Sequence, residues 1–372
     1  MSKLFKYAFS DLYDISSGIS STKDQAGHGT PFASFRTVFN NIFLPDKLPD
    51  LMEVSEKEQE IYSIKKGDIL ITRTSETVDE LAMSCVALKD YPHATYSGFV
   101  KRLRPKTAGI VYDRFMAFYL RSKYFRKVIE CNTIMTLRAS FNEDMFSFLD
   151  LYLPDYETQK KVGDLLYHME RKIECNARIN DNLQQMAHIT FMHSFWGKPA
   201  NGTIGDILIE REKSPIQVGQ AKNAIGNYPF FTSGDAILRW TSPLTAGRNI
   251  FMNTGGNAGV KFYVGEAAYS TDTWCVSARD GLADYLYLLL SSIKPELSQK
   301  FFQGTGLKHL QKPALKNRPM YIPSKDELEV FNRSVIPWLT LVSDNIRESE
   351  RLTTLRDWLL PMLMNGQATI SD

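Results

Sequence analysis

The chain carries almost none of the signatures of an enzyme acting on nucleotides or nucleic acids. It contains no Pro-Pro at all, and so no Asp/Asn-Pro-Pro-aromatic segment of the kind that receives a flipped base in amino-methyltransferases. No GxxxxGK[ST] occurs, which argues against a P-loop ATPase. Gly255-Gly256-Asn257-Ala258-Gly259 is glycine-rich, but it lies between two expected strands and lacks the strand-to-helix context of a dinucleotide or phosphate loop. The 6 histidines show no HExxH and no carboxylate-partnered spacing. The 4 cysteines, Cys85, Cys131, Cys175 and Cys275, form no CxxC and no metal-ligand spacing, which fits reduced thiols in a cytosolic protein. No apolar run reaches membrane-spanning length, and Met1-Ser2-Lys3-Leu4-Phe5-Lys6 has no signal-like apolar core. An excess of charge of one sign is missing too, since 44 Lys+Arg stand against 42 Asp+Glu. The expectation is a cytoplasmic protein with no membrane association, no catalytic residue, no metal site and no cofactor of its own.

What is present is a duplication. With 372 residues, 43% apolar and 23% charged, the chain can bury two cores or more. Pro154 and Pro323 lie 169 residues apart, and their flanks align at that offset without a gap. Thr136-Leu137-Arg138 through Leu151-Tyr152-Leu153-Pro154 falls on Thr305-Gly306-Leu307 through Met320-Tyr321-Ile322-Pro323. A repeat this long in only two copies is no solenoid. It predicts duplicated domains.

Each copy reads as a mixed α/β domain followed by a long helix. In the first, Gly67–Thr74 reads as a turn feeding a strand, strand character recurs at Met83–Leu88 and Ser97–Leu103, and helical spacing at Asp113–Val128. In the second, Asn249–Met252, Val260–Val264 and Trp274–Val276 read as strands, and Tyr285–Leu290 begins a helix. Beyond each domain the apolar residues step by four and three, the seam of a helix pair. The first seam holds Val162, Leu166, Met169, Ile173, Asn176, Asn180, Leu183 and Ala187; the second holds Phe331, Val335, Trp338, Val342, Asn345, Ser349 and Leu352. Two matched seams in one chain predict an intramolecular antiparallel pair of helices, each roughly 55 Å long. Asn at seam positions would fix the register. Pro337 suggests that the second helix starts late or kinks there. The expected plan is a first domain at 1–154, a helix at 155–198, a second domain at 199–323, and a helix with a tail at 324–372.

Basic residues cluster in two acid-free runs. One is Lys101, Arg102, Arg104 and Lys106; the other, between Lys300 and Lys325, includes Lys308, His309, Lys312, Lys316 and Arg318. Such runs suit phosphate contacts, and they suit a solvated face equally well.

Leu355-Arg356-Asp357-Trp358-Leu359-Leu360-Pro361-Met362-Leu363-Met364-Asn365-Gly366-Gln367 resembles the closing segment of the specificity (S) subunits of Type I restriction–modification systems, with their Leu-Leu-Pro-x-Leu-Met-x-Gly motif. Gln311-Lys312-Pro313-Ala314-Leu315-Lys316 through Tyr321-Ile322-Pro323 resembles the family's lead-in to that helix, and Glu157-Thr158-Gln159 stands where the family usually has Glu-Gln. The helix end Ile189–Trp196 of the first copy lacks the Leu-Leu-Pro motif. The resemblance covers the whole chain at the level of plan. It implies two target recognition domains separated by two long helices, with a role in DNA methylation and phage defence. It also implies two modification subunits that carry S-adenosylmethionine and the flipped adenine. Restriction/translocase subunits using ATP and Mg join them.

On that reading each domain reads one half of a split double-stranded DNA site, and the helices act as a ruler that holds the readers about one duplex turn, ~34–36 Å, apart. Base readout needs Arg, Lys, Asn, Gln, Ser or Thr on loops that reach base edges. Candidates in the first domain are Arg36, in the loop-like run Pro31–Thr37, with Arg73, Thr74 and Ser75 just after an apolar strand. In the second they are Ser233, Thr254, Asn257 and Lys261. Lys308, His309 and Lys312 match the stretch around Arg138 and Ser140, and the repeat is expected to set basic residues Arg138 and Lys308 in corresponding places. The isolated chain is expected to bind DNA weakly. Two other readings stay open: the specificity subunit of a related system that cuts on both sides of its site, and a coiled-coil protein scaffold without DNA readout. A stand-alone methyltransferase has no base-binding or cofactor motif to support it.

Overall fold

The computed structural model describes residues 3–133, 139–306, 308–368 and 370. By packing, the chain falls into two units, Met1–Ile173 with Arg351–Asp372, and Glu174–Glu350. Both are mixed α/β.

The first unit is built on a four-stranded antiparallel sheet in the order Tyr13–Ser17, Val100–Pro105, Ile69–Thr72, Ser84–Val86. Its central strand reads as an unbroken apolar run because both faces are covered. Ile69 and Ile71 join the core around Phe9, Phe115 and Phe125, while Leu70 joins Ala33, Cys85 and Tyr96 on the other side. A second, small sheet sets Ala26–Ala33 parallel to Thr95–Tyr96, pairing Phe32 with Thr95 and Ala33 with Tyr96.

The single helix expected at Asp113–Val128 is two, Asp113–Tyr119 and Lys123–Asn132. Arg121 and Ser122 make the break. Ser122 caps the second helix, accepting from Phe125 N at 3.3 Å. The Arg121 guanidinium turns inward to the carbonyls of Ser84, Val38, Phe39 and Asn41, four acceptors that a continuous helix would leave it unable to reach.

The second unit repeats the plan. Its sheet runs Leu208–Glu210, Thr273–Ala278, Arg248–Asn253, Val260–Val264, again all antiparallel. Ile250 and Met252 face one core, and Phe251 faces the other, where it stacks on Phe231 at 4.1 Å between ring centroids. The small parallel pairing recurs too, with Tyr228–Phe231 beside Ala268–Tyr269.

The long helices span Tyr156–Phe195 and Lys325–Met364, each 40 residues. The second neither starts late nor breaks at Pro337, which lies exposed within it. Both starts are capped, the first by Asp155, which accepts from Thr158 N at 3.0 Å, the second by Ser324 and Glu327, which accept each other's backbone N–H.

The helices pack antiparallel. In the first unit Val162 and Leu166 share a core with Leu363 and Met364. In the second, Ala187, Phe191 and Phe195 share one with Phe331, Val335 and Leu339. Met169 and Val342 are buried as the seam predicts, while Ile173, Leu183 and Leu352 are only half-buried. Between Val335 and Val342 the buried residue is Leu339 rather than Trp338, whose large ring lies partly covered at the core's edge. Asn176, Asn180 and Asn345 are buried in the seam.

Candidate nucleic-acid interface

In the first unit the chain leaves the central strand at Thr72 and passes through Arg73 into the short strand Thr74–Ser75, which pairs with Ala139–Ser140. Arg73 is pinned by its backbone on both sides: its N–H donates to Phe99 O at 2.8 Å, and its carbonyl accepts from Phe141 N at 2.7 Å. Phe99 sits in a tight turn, with Val100 N donating to Ser97 O at 2.9 Å. That turn is fastened in turn, Ser97 N to Ala33 O at 3.1 Å and Gly98 N to Ile19 O at 2.7 Å. Only glycine fits at 98, since a Cβ there would come within 2.9 Å of Ile19 O. With the backbone held, the side chains of Arg73 and Phe99 are exposed.

The second unit contains the same five backbone hydrogen bonds. Thr254 N donates to Asp272 O, and Thr254 O accepts from Leu310 N. Thr273 N donates to Ser270 O, Ser270 N to Phe231 O, and Thr271 N to Ile216 O. Position by position, Thr254 replaces Arg73, Asp272 replaces Phe99, and His309, bridged to Gly255, replaces Ser140, paired with Thr74. The backbone is duplicated; the side chains it presents are not.

The structure brings Arg73, Thr74, Ser75 and Ser140 together, with Arg73 and Ser140 exposed and Ser75 buried, its hydroxyl accepting from Thr77 N at 3.3 Å. In the second unit it brings Ser233, Thr254, Lys308 and His309 together. The Ser233 and Thr254 hydroxyls both donate to Asp272 O, and Lys308 O accepts from Gly256 N at 2.9 Å. Lys308, His309 and Asn257 are exposed. Lys308 takes the place of Ala139, not of a basic residue, so the expected correspondence of Lys308 with Arg138 does not hold; Arg138 itself lies outside the described residues.

Other candidates sit elsewhere or face inward. Arg36 is exposed, but on the first turn of the helix Phe35–Asn40, whose Ser34 cap converts the expected loop into helix. Lys261 is half-buried, and its ammonium donates to Thr232 O at 2.7 Å and to Gly234 O; burial holds its pKa below the usual lysine range. Lys312 lies over the Trp274 ring at 4.8 Å, and burial lowers its pKa as well.

Most of the basic runs are internal pairs. Lys101 is buried against Ser17 and Glu143. Arg102 is buried and donates to Ser63 O at 2.6 Å. Arg104 makes a two-pronged pair with the fully buried Asp68, at 2.8 and 2.6 Å, and Lys106 faces Asp14. In the second run Lys300 and Arg318 meet Glu296, and Lys316 meets Glu210. A count of charges along the chain cannot reveal these partners, because they come from distant parts of the sequence.

Two residues of the duplicated platform escaped the sequence reading. Phe99, 65% exposed, counts as one more apolar residue of a strand until the turn at Ser97 is seen. Asp272 lies in a loop with no motif around it. Among the described residues, no helix is long and apolar enough to cross a membrane.

A family model described as the Type I restriction modification DNA specificity domain matches residues 6–185 and 199–331. The Type I restriction enzyme HindI specificity subunit of Haemophilus influenzae is 30% identical over 189 residues, 50% of this chain and 39% of that protein. The chain therefore matches well under half of that relative's length. Among solved structures, the S subunit of a Type-I restriction-modification system from M. genitalium has a TM-score of 0.69 at 14% identity, covering 97% of this chain and 96% of that one, which shows a shared fold. The HsdS subunit from Thermoanaerobacter tengcongensis, at TM-score 0.38 and 14% identity over 98% and 97% of the two chains, adds nothing to that.

Proposed function

The chain belongs to the type I restriction-modification DNA specificity family, and from that premise we propose that it is the DNA-reading subunit of such a system, recognising a bipartite duplex site with one half-site read by each of its two domains. The observation that carries this reading is the duplicated platform, in which five backbone hydrogen bonds recur while the presented side chains differ. Identical scaffolds can dock on duplex DNA in the same way, and different side chains can then read different base edges. Arg36, Arg73 and Ser140 in the first domain, and Asn257, Lys308 and His309 in the second, are exposed and of the right chemistry for base or phosphate contact. Thr74, Ser75, Ser233, Thr254, Lys261 and Lys312 support them from partly or fully buried positions.

The chemistry belongs to partners. Two modification subunits would bring S-adenosylmethionine and methylate adenine in each half-site, and restriction/translocase subunits would bring ATP and Mg. A net charge of +2 fits a protein whose partners supply much of the sequence-independent phosphate binding.

The test is co-expression with the modification subunit of the same host, followed by mapping of methylated adenine across the host genome. A split motif with modified adenine in both halves is the expected result. A stable complex that methylates no split motif would overturn the proposal in favour of a protein scaffold.

A further inference from the structure

The duplicated platform points to more than a general DNA-facing surface. Its two key positions are fixed by the same bonds in both units. One is the residue that follows the central strand, Arg73 or Thr254. The other is the third residue of the adjoining turn, Phe99 or Asp272, whose carbonyl accepts the first residue's N–H at 2.8 Å and 3.1 Å respectively. So constrained a backbone fixes where each side chain leaves the surface, which places it in the same register in both units.

The chemistries at the two positions are opposed. In the first unit they are a guanidinium and an aromatic ring, both exposed. Arg73 makes no ion pair or side-chain hydrogen bond among the described residues. Its five donors match the O6 and N7 acceptors of guanine, and an adjacent ring suits a thymine methyl group. In the second unit they are a hydroxyl and a carboxylate. Thr254 Oγ1 and Ser233 Oγ are turned to the Asp272 carbonyl, which leaves the exposed Asp272 carboxylate as the group presented outward. A carboxylate accepts, and repels phosphate. Its match in the major groove is the N4 amino group of cytosine.

We propose that Arg73 with Phe99, and Asp272 with Thr254, are the equivalent base-reading positions of the two domains. Arg73 specifies a guanine in one half-site, and Asp272 specifies a cytosine in the other. This rests on the reading of the chain as a bipartite DNA-recognition subunit, and it names which residues set the two halves apart. Most basic residues of the two runs, Lys308 and His309 excepted, are engaged by partners within the chain, whereas an acidic residue is placed among the readers. That inverts what charge alone would suggest.

The test uses the full chain with its methyltransferase partner and maps the methylated motif for wild type, Arg73→Gln and Asp272→Asn. Both substituted side chains are exposed, so the fold is kept. Arg73→Gln is expected to weaken one G·C preference in one half-site by roughly tenfold to a hundredfold, shifting it toward A·T, with the other half unchanged. Asp272→Asn is expected to shift one cytosine toward adenine in the opposite half only, because the Asn amide pairs with adenine. Variants that retain the wild-type motif, or that both alter the same half, would overturn this assignment while the bipartite reading stands. A wild-type complex with no split motif would overturn that reading, and this assignment with it.

Discussion

Asn345 Nδ2 donates to Asn180 Oδ1 at 2.8 Å across the helix pair, and the same bond recurs with the copies exchanged. Asn176, which precedes Asn345 by 169 residues, donates to Ser349 Oγ at 3.2 Å, and Ser349 follows Asn180 by the same interval. The duplicated sequence thus pairs its seam amides first copy to second and second to first; Asn176 Nδ2 also donates to Glu348 at 2.8 Å, while Asn176 Oδ1 has no partner among the described residues. Any slip along the seam would bury these amides against aliphatic side chains, so they select one register at some expense in stability.

Removing one partner exposes that role. Asn345→Ala leaves Asn180 Oδ1 buried without its donor and is expected to lower stability by about 1–3 kcal/mol. Asn180→Ala should cost less once Asn345 is gone than it does alone, so the double variant falls short of the sum. Urea unfolding of the four proteins of this cycle checks it. Strict additivity would mean that the two amides do not couple.

The helices were legible in the sequence because their apolar spacing repeats at a constant interval. The platform was not, although it is duplicated more faithfully. Its counterparts are Phe141 and Leu310 at 169 residues, Ser97 and Ser270 at 173, Arg73 and Thr254 at 181, and Ala33 and Phe231 at 198. Each step marks a loop longer in the first copy, so no gap-free alignment can find them. Backbone hydrogen bonds conserve a geometry to which the side-chain pattern is indifferent. Within the seam the 3.6-residue turn brings Leu339 fully inward beside Trp338, the half-buried residue that a strict alternation of threes and fours selects.

Arg104 illustrates how a basic run misleads. Its guanidinium meets Asp68, whose second oxygen also accepts from Lys65 N at 2.7 Å. Arg104→Gln would strand a carboxylate that is fully buried, and the expected cost is about 3–5 kcal/mol. The methylation motif of the folded complex should not change. A variant of wild-type stability with a weaker motif would instead make Arg104 a DNA contact.

Gly163 sets how closely the first long helix approaches its domain. A Cβ at that position would lie 2.6 Å from Phe115 N, at the start of the helix Asp113–Tyr119. The matching residue of the second copy is Asn332, whose amide donates to Gly281 O at 3.0 Å, so the contact there is polar and more widely spaced. Gly163→Ala is expected to destabilise by about 1–3 kcal/mol through overpacking. Gly219→Ala is the control. It lies in the helix Val218–Lys222 with nothing within 4 Å of the added methyl, and should be neutral or slightly stabilising. Equal effects at the two sites in chemical denaturation would remove the close-packing argument.

Glu327 makes the start of the second long helix sensitive to acid. Lys198 donates to it at 2.6 Å, with Ser324 N and Tyr321 Oη both donating at 2.8 Å, and together they lower its pKa from 4.5 to about 2. A carboxylate whose folded pKa is depressed stabilises the fold at pH values above its unfolded pKa. As pH falls, the unfolded chain takes up the proton first, so the stabilisation fades from about pH 4.5 and is gone near pH 2. Glu327→Gln removes the charge at every pH. Its melting temperature should lie below that of the wild type by a constant gap above pH 5, and the gap should close as the pH is lowered toward 2. A gap that stays constant across that range would mean that the wild-type carboxylate gains nothing from Lys198, Ser324 and Tyr321 in the folded chain.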